Sequence, residues 1–239
     1  MAPRLGEQPD AAILTLWERG AAAGPIERAL LLAGEARPDL GTQQCWALPL
    51  GQRDQAIAAL RTRLFGPEAE LTSRCPRCGT EVGVVVADVA RVLDEASASP
   101  PPPPQLQGLS LRAVTSEDLA AAEIAAARGR DLRAVIIERI ATIAEGETVP
   151  ELDPSMLDAA LESLDAAAEL RFELTCSDCG NRWIALFDIA DCTWRELARA
   201  AGRIADEVAA LPSAYGWREA DTLAMSRTRR ALYLERIPE

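Results

Sequence analysis

Two short stretches of the sequence, Cys75-Pro76-Arg77-Cys78-Gly79 and Cys176-Ser177-Asp178-Cys179-Gly180, share the pattern Cys-x-x-Cys-Gly. Extended segments are predicted on both sides of each stretch, so that the order strand, turn, strand is written twice. Cysteine pairs at this spacing are usual ligands of structural zinc, which prefers four thiolates in a tetrahedron. The glycine after each pair suits the positive φ that such a turn needs. The pattern therefore predicts one zinc ribbon assembled from two hairpins.

Each hairpin supplies only half of the tetrahedron, so we expect one structural Zn²⁺ per chain held by Cys75, Cys78, Cys176 and Cys179. A thiol–disulfide redox pair and two structural disulfides remain as alternatives. A redox Cys-x-x-Cys normally opens a helix after a strand, whereas both pairs here precede β-rich runs. A closed Cys₄ site leaves no open position for substrate or water. The cysteines are therefore expected to stabilise a fold rather than to perform chemistry.

The composition narrows the classes of function. The chain of 239 residues is 49% hydrophobic, carries a net charge of −12, and contains no histidine and no lysine. Catalysis by Ser-His-Asp or Cys-His, metal sites with histidine ligands and Schiff-base chemistry are thereby excluded. Net negative charge disfavours nucleic acid, because DNA and RNA binding depend on phosphate neutralisation. We expect no signal peptide and no membrane span, and reduced cysteine pairs that hold metal fit a cytoplasmic protein.

The predicted fold class is α+β and mostly α-helical: a split Cys₄ zinc ribbon of two β-hairpin knuckles, with a helical insertion and flanking helices. The predicted segments are an N-terminal helical unit over residues 1–66, the first ribbon hairpin over 67–93, a proline-rich linker over 94–108, the helical insertion over 109–170, the second ribbon hairpin over 171–190 and C-terminal helices over 191–239. The linker is typical of a polyproline II spacer. Because its ends must meet at one metal site, the insertion is expected to fold back as a compact, separable unit.

Local signals predict where several helices begin and end. The runs Thr115-Ser116-Glu117-Asp118 and Thr193-Trp194-Arg195-Glu196 are typical of capping boxes, with Asp replacing the usual Glu in the first. Asp153 and Pro154 suit the N-cap and first position of another helix. The helix that starts at Thr193 is expected to be the longest in the chain and to end at Pro212.

This long helix carries an apolar seam at steps of three and four, formed by Trp194, Leu197, Ala201, Ile204, Val208 and Leu211. The seam suits a partner helix, but most amphipathic helices face their own core, and both interpretations remain open. Cys192 lies just before the helix, where a helix N-terminus lowers the pKa of a thiol. A buried, neutral thiol is nevertheless the favoured state, since no histidine or other base is available to it.

The closing part of the sequence is distinctive, with Ala214 to Met225 followed by Arg229 to Glu235. Together with Trp17-Glu18-Arg19-Gly20, Pro49-Leu50-Gly51-Gln52-Arg53-Asp54 and both Cys-x-x-Cys turns, it resembles the phage-type baseplate hub assembly chaperone family. Contractile-tailed phages and related contractile injection systems of bacteria encode these proteins. The resemblance covers nearly the whole chain. It implies a non-enzymatic assembly chaperone or minor structural component, with baseplate hub, spike or tape-measure proteins as partners.

A partner surface is predicted on the C-terminal helical hairpin, because tyrosine, tryptophan and arginine are typical interface anchors and a basic spot can steer an acidic partner. Its residues are three aromatics in a chain poor in aromatics and the only basic run: Tyr215, Trp217, Tyr233, Arg227, Arg229 and Arg230. The alternative is that Trp217 and Tyr233 only fix the hairpin onto the preceding helix.

Two other functions compete with assembly. The first is a nucleic-acid-binding zinc ribbon, as in transcription-associated proteins, which normally has basic residues along the ribbon strands. Arg74, Arg77 and Arg182 are available, but residues 82–86 add no further basic side chain. The second is a zinc or thiol enzyme, against which the lack of histidine and the use of four thiolates on one metal both argue.

Overall fold

The computed structural model describes residues 9–101, 104, 106, 109–143 and 153–237. It is a mostly helical α+β fold, as the sequence predicts. The N-terminal part is helical, with α1 Pro9–Gly20, α2 Pro25–Ala36, α3 Thr42–Trp46 and α4 Leu50–Phe65. The short helix α3 was not predicted from the sequence.

Helices α1, α2 and α4 pack with the long helix α9, Ile189–Tyr215, around a first apolar core. Its largest buried side chains come from all four helices: Ile13, Leu16, Leu32, Ile57, Leu60, Trp194, Leu197 and Ile204. The apolar seam of α9 therefore faces the protein's own N-terminal helices, which confirms the intramolecular alternative.

The two predicted hairpins are present. Strands β1 Ala69–Arg74 and β2 Glu81–Val86 pair antiparallel, with Arg74 opposite Glu81. After the insertion described below, β5 Leu170–Thr175 and β6 Arg182–Phe187 pair in the same way, with Thr175 opposite Arg182. Together these four strands are the frame of the metal centre.

Each hairpin leads into a helix with an aspartate N-cap. After the first hairpin, Asp88 accepts a hydrogen bond from the Arg91 backbone N–H and begins α5, Val89–Ala98. After the second, Asp188 accepts from the Asp191 backbone N–H and begins α9. The unit of strand, knuckle, strand and capped helix thus occurs twice. Helix α5 was not predicted, since its residues were divided between the first hairpin and the proline-rich linker.

A second apolar core lies beneath the hairpins. Both hairpins and α5 contribute to it, with Leu71, Val89, Leu93, Leu170 and Leu174 among its members. Helices α4 and α9 also enter it, through Ala58 and through Ile189 and Cys192. Because the same two helices cross both cores, they join the ribbon to the N-terminal helices.

Among the described residues, the insertion contains two short strands and three helices: β3 Leu109–Leu111, α6 Ser116–Ala126, α7 Leu132–Ile140, β4 Ala141–Ile143 and α8 Pro154–Leu164, followed by a 3₁₀ turn, Ala166–Ala168. The apolar pattern of residues 131–144 predicts one continuous helix that Gly146 and Pro150 break, but β4 ends it early and pairs with β3. Gly146 and Pro150 lie outside the described residues, as do residues 102, 103, 105, 107 and 108 of the proline-rich linker.

A buried aspartate links the start of α6 to the residues that follow β3 and to the end of α7. Asp118 is fully buried and accepts hydrogen bonds from Arg112, Arg139 and Thr115. Burial alone would raise the pKa of this carboxyl, but these donors more than offset it and hold the pKa well below its usual range. The capping box predicted at Thr115 is confirmed.

Both ends of the insertion are attached to the start of α4. The Leu50 backbone N–H donates to the Val114 carbonyl (2.9 Å), and the Gly51 N–H donates to Asp165 Oδ2 (2.8 Å). Ala167 and Leu170 lie in the core beneath the hairpins. The last residues of the predicted insertion therefore belong to the ribbon core.

The bounds of α9 differ from those predicted. The capping box expected at Thr193 is wrong, because Asp188 caps the helix more than one turn earlier and Thr193 is buried inside it. Pro212 does not end the helix. It lies in the last turn, and the chain leaves the helix at Gly216, whose φ of 70° is left-handed and whose N–H donates to the Pro212 carbonyl (2.8 Å).

The C-terminal hairpin consists of α10, Glu219–Ala224, and α11, Arg227–Leu234. A serine directly before a predicted helix suits its N-cap, and Ser226 caps α11 by accepting a hydrogen bond from the Arg229 backbone N–H. The hairpin is held to the first helix by Asp10, which pairs with Arg227 and Arg230. Over the part of the chain that the structure describes, no helix combines the length and apolarity needed to cross a bilayer.

Candidate metal centre

The first knuckle is a tight turn closed by two backbone hydrogen bonds. The Cys75 N–H donates to the Thr80 carbonyl (2.8 Å), and the Gly79 N–H donates back to the Cys75 carbonyl (2.9 Å). Gly79 has a φ of 79°, a conformation that favours glycine. The turn places Cys75 at the end of β1 and Cys78 at its tip, so that both side chains can reach one ion.

The second knuckle repeats this geometry. The Cys176 N–H donates to the Asn181 carbonyl (2.9 Å), and the Gly180 N–H donates to the Cys176 carbonyl (3.0 Å). Gly180 has a φ of 69°. Both turns thus form for the same reason. A cysteine directly follows the first strand, and a glycine with positive φ, two residues before the second strand, allows the chain to reverse.

The four sulfurs converge, as the sequence predicts. All lie within 4.8 Å of one another. The Sγ atoms of Cys75 and Cys179 are 3.7 Å apart, and those of Cys78 and Cys176 are 3.5 Å apart. Thiolates bound at ~2.3 Å to a tetrahedral ion lie ~3.8 Å from each other, whereas disulfide sulfurs lie ~2.05 Å apart. All four cysteines are free. The arrangement is compatible with one metal ion and not with disulfides.

Each knuckle contributes one buried ligand, Cys75 and Cys176, and one more open to solvent. A side-chain bond joins the two turns, since the Thr80 hydroxyl donates to Asp178 Oδ2 (2.8 Å) and also lies 3.3 Å from the Cys78 sulfur. Neighbours of this kind orient ligands. The sequence pattern did not single out Thr80 or Asp178, although both lie within two residues of a predicted ligand.

The pKa values of Cys78 and Cys179 are shifted in opposite directions. The hydrogen bonds between Cys78 and Thr80, first with its side chain and then with its backbone, lower the pKa of Cys78 to about 6. At Cys179 the Asn181 backbone N–H lowers the pKa, but burial and the neighbouring thiols outweigh it and raise the pKa to about 12. Because metal binding needs thiolates, loading the site must release protons. Metal affinity should therefore increase with pH.

Arg61 fixes the approach of the first hairpin. Its guanidinium is buried and donates to the carbonyls of Gly66 (2.9 Å) and Glu68 (2.7 Å), just before β1. It also pairs with Glu196 on α9 (3.0 Å). Nothing in the local sequence distinguishes Arg61 from an exposed helical arginine, so sequence reasoning could not find it.

The remaining cysteines, Cys45 and Cys192, are both buried and lie outside the cluster. Burial raises the pKa of Cys192, and this effect exceeds that of the nearby Arg195. The expectation of a lowered pKa at this position is wrong, because the thiol points into the ribbon core rather than toward the helix N-terminus and solvent. The thiol of Cys192 is buried, and its raised pKa keeps it neutral, which agrees with the other interpretation of this cysteine.

The three C-terminal aromatics form one cluster. Tyr215 stacks on Trp217 at a ring-centroid distance of 4.7 Å, and Tyr233 meets Trp217 edge-on at 4.8 Å. The Tyr215 hydroxyl donates to the Tyr233 carbonyl (3.0 Å), which fixes α11 against the end of α9. Tyr215 remains 36% exposed, so the cluster both holds the hairpin and reaches the surface.

The three arginines of the predicted basic face have different environments. Arg227 and Arg229 are exposed. Arg230 is fully buried and donates to Asp10 and to Glu207, the latter at 2.6 Å. Arg230 therefore cannot contact a partner, because its charge is neutralised inside the protein by an aspartate from the other end of the chain. Sequence position alone gave no sign of this pairing.

In comparisons with known proteins, no family model, no curated protein and no solved structure matches the chain.

Proposed function

We propose that the four cysteines hold one structural Zn²⁺. The observation that carries this proposal is the closed set of four sulfurs at separations close to those around a tetrahedral ion. All-thiolate tetrahedral sites take zinc or iron, and zinc is the usual ion of paired Cys-x-x-Cys turns. Elemental analysis of the purified chain should find one zinc per molecule. Iron in its place, or a metal-free chain with a disulfide in either pair, would contradict the proposal.

We further propose that the protein is a non-enzymatic cytoplasmic assembly chaperone, or a minor structural component, of the baseplate hub or tape-measure of a contractile tail or injection system. The resemblance in sequence supports this. The fold gives two glycines of the resembling stretches a packing role. Gly20 lets α1 approach the Trp194 ring, and Gly51 lets α4 approach Asp165 and Ala167, where an added Cβ would collide. The resembling stretches thus lie where separate parts of the fold meet.

The proposed docking face for the hub, spike or tape-measure partner lies where the end of α9 meets the C-terminal hairpin. It consists of the aromatic cluster and two exposed arginines: Tyr215, Trp217, Tyr233, Arg227 and Arg229. Arg230 is left out of this face because it is buried. Aromatic and arginine side chains together are typical of interface anchors. Arg227 is already paired with Asp10, and the exposed cation of Arg229 on a chain of net charge −12 can steer an acidic segment.

Co-purification tests the proposal. The full chain is co-expressed with the hub, spike and tape-measure proteins of a contractile particle encoded beside its gene, and complexes are isolated through a tag on this chain. Arg229→Glu should reduce recovery of the partner roughly tenfold, because it reverses an exposed charge on the docking face. Arg63→Glu is the matched control, since Arg63 is an exposed arginine on α4.

Both variants should keep one metal per chain. Failure of the wild-type chain to recover any of the three partners would overturn the chaperone proposal. Normal recovery with Arg229→Glu would instead overturn the assignment of the docking face while leaving the chaperone role in place.

A further inference from the structure

The outer face of the second hairpin exposes apolar side chains. Along β6, Ala185 and Phe187 point into the core, whereas Ile184 and Leu186 are 66% and 64% exposed. Counted from the knuckle cysteines, the corresponding residues of the first hairpin are Gly83 and Val85. Single exposed apolar side chains are common on protein surfaces. Two large aliphatic side chains that form one exposed patch are less common, because keeping this apolar surface in water is unfavourable. This face therefore needs an explanation that the ribbon itself does not supply.

A groove runs beside this face. It is a cavity of about 680 Å³ between the second hairpin and the insertion. Its apolar lining includes Leu50, Val114, Leu161, Ile184 and Leu186. We call this cavity with its lining the β6 groove. Its volume is large enough to hold several side chains. Its walls include residues of α4, α8 and β6.

The edge of β6 that faces away from β5 is unpaired among the described residues, and the side chains of Ile184 and Leu186 from this strand line the groove. Pairs of residues in an antiparallel ladder alternate between hydrogen-bonded and non-bonded, and the Cys176 N–H donates to the Asn181 carbonyl. In the register of this hairpin, residues 182, 184 and 186 then direct their N–H and C=O groups away from β5. Within the described ranges, β6 pairs with β5 alone. An unpaired edge with exposed aliphatic side chains is a template for another strand.

The charges around the groove have one dominant sign. Its lining includes four carboxylates, Asp158, Glu162, Asp165 and Glu169, and one cation, Arg171. A second cation, Arg133, pairs with Asp158 (2.6 Å), so the four carboxylates face two guanidinium groups. Arg171 is already paired with Glu162 and Glu169. The surplus of negative charge favours a basic occupant and disfavours a second copy of this chain, whose net charge is −12.

We propose that the β6 groove binds an extended segment of a partner protein that adds as a strand to β6. The side chains of this segment that face the groove are apolar at the centre and Arg or Lys at the ends. Main-chain hydrogen bonds to the free edge would supply affinity, and the apolar contacts with Ile184 and Leu186 and the acidic rim would supply selectivity. This inference does not depend on the proposed hub partner, since the groove is formed by other residues than the C-terminal docking face.

The test uses synthetic peptides and the full, metal-loaded chain. The probe is a fluorescent peptide of alternating valine and threonine with a pair of arginines at each end, titrated by fluorescence anisotropy. Two control peptides carry glutamates at the ends or a proline at the centre, and each should bind at least roughly tenfold more weakly. The proline removes a backbone donor that strand addition needs.

Protein variants distinguish binding in the groove from nonspecific binding of the peptide to the protein surface. The double variant Ile184→Ser, Leu186→Ser should lose roughly tenfold or more in affinity for the probe. Val85→Ser is the matched control, because Val85 is 63% exposed at the position of the first hairpin that corresponds to Leu186 and does not line the groove. It should change the affinity by less than about twofold. Both variants should retain one metal per chain and wild-type circular dichroism.

Three results would overturn the proposal: equal binding of the double variant and the wild type, equal binding of the proline peptide, or self-association of the wild-type chain in sedimentation that the double variant loses. The last would assign the face to a second copy. Loss of peptide binding with normal recovery of hub proteins would remove only this inference, and the reverse result would remove only the proposed function.

Discussion

Removing the metal with a chelator should loosen the two hairpins before it disturbs the core formed by α1, α2, α4 and α9. The sulfurs lie at the tips of the hairpins, and each knuckle provides only two of the four ligands. Without the ion, four thiols within 4.8 Å of one another lose their common partner. The helical core has its own set of buried residues and no metal ligand among them, so its packing does not require the ion.

The magnitude follows from linkage. A ligand that binds only the folded state at a thousandfold above its dissociation constant stabilises that state by ~4 kcal/mol. With a urea dependence of about 2 kcal/mol per M, chelation should lower the unfolding midpoint of the hairpins by roughly 2 M. Far-UV circular dichroism should change little in the absence of urea, because most residues of the chain are helical.

Hydrogen exchange measured by mass spectrometry locates the effect. After chelation, protection should fall over residues 69–86 and 170–187 and persist over residues 50–65 and 193–204. Cys45→Ser, at a buried cysteine outside the cluster, is the matched control and should keep both the metal and the response. Cys176→Ser should reproduce the chelated pattern without chelator. A uniform loss of protection across both cores, or hairpins that stay protected without metal, would refute the reasoning.

Two further substitutions, measured by urea unfolding, test contacts between distant parts of the chain. Asp10→Asn should destabilise the protein by about 3 kcal/mol, because it removes one of the two carboxylates paired with the fully buried Arg230. Asp39→Asn, in an exposed pair, should have a much smaller effect. Gly51→Ala should destabilise by roughly 1–3 kcal/mol, because the new Cβ meets buried atoms of the insertion; Gly202→Ala, in open space inside α9, should stabilise by ~0.5–1 kcal/mol. Equal effects within either pair would contradict these assignments.

The cluster of four cysteines was predictable because the signals that form it are local. A thiolate pair needs one spacing, one reversal of the chain and one glycine, and all three are visible around Cys75 and again around Cys176. The pairing of the two turns followed from the number of ligands a tetrahedron needs. The helical caps at Thr115, Asp153 and Ser226 were likewise legible, since each depends on residues within one turn.

Features set by distant parts of the chain were not predictable. The sequence predicts that the long helix begins at Thr193, but Asp188 caps α9 instead, and the earlier start lets Ile189 and Cys192 enter the ribbon core. Strand β4 exists only because β3 lies beside it. Arg230 was assigned to the surface from its neighbours, whereas Asp10, more than two hundred residues earlier, draws it inside. In each case a tertiary contact overrides a correct local signal.

Asp54 gives the last prediction, because burial and charge oppose each other there. The side chain is 7% exposed and accepts a hydrogen bond from its neighbour Arg53 (2.7 Å). Burial raises the pKa of Asp54 to about 6, more than the Arg53 guanidinium lowers it. In the unfolded chain this carboxyl has its ordinary pKa near 3.8. The folded state therefore holds the proton more tightly, and this group's contribution to stability falls as pH rises from about 4 to about 6.

The difference between a pKa of about 6 in the folded state and 3.8 in the unfolded chain corresponds to ~3 kcal/mol at neutral pH. Asp54→Asn imitates the neutral carboxyl, so it should stabilise the protein at pH 7 by about this amount. At pH 3.5 it should stabilise by only about 0.2 kcal/mol, because the folded carboxyl is protonated there and the unfolded one is mostly protonated. Urea unfolding of both proteins from pH 3.5 to 8 measures the difference, with metal content checked at each pH. Asp10 and Asp118, whose pKa values are lowered, act at the acidic end of this range and affect both proteins equally. If Asp54→Asn instead destabilises the protein at pH 7, then the charge pair with Arg53 outweighs burial and the reasoning fails.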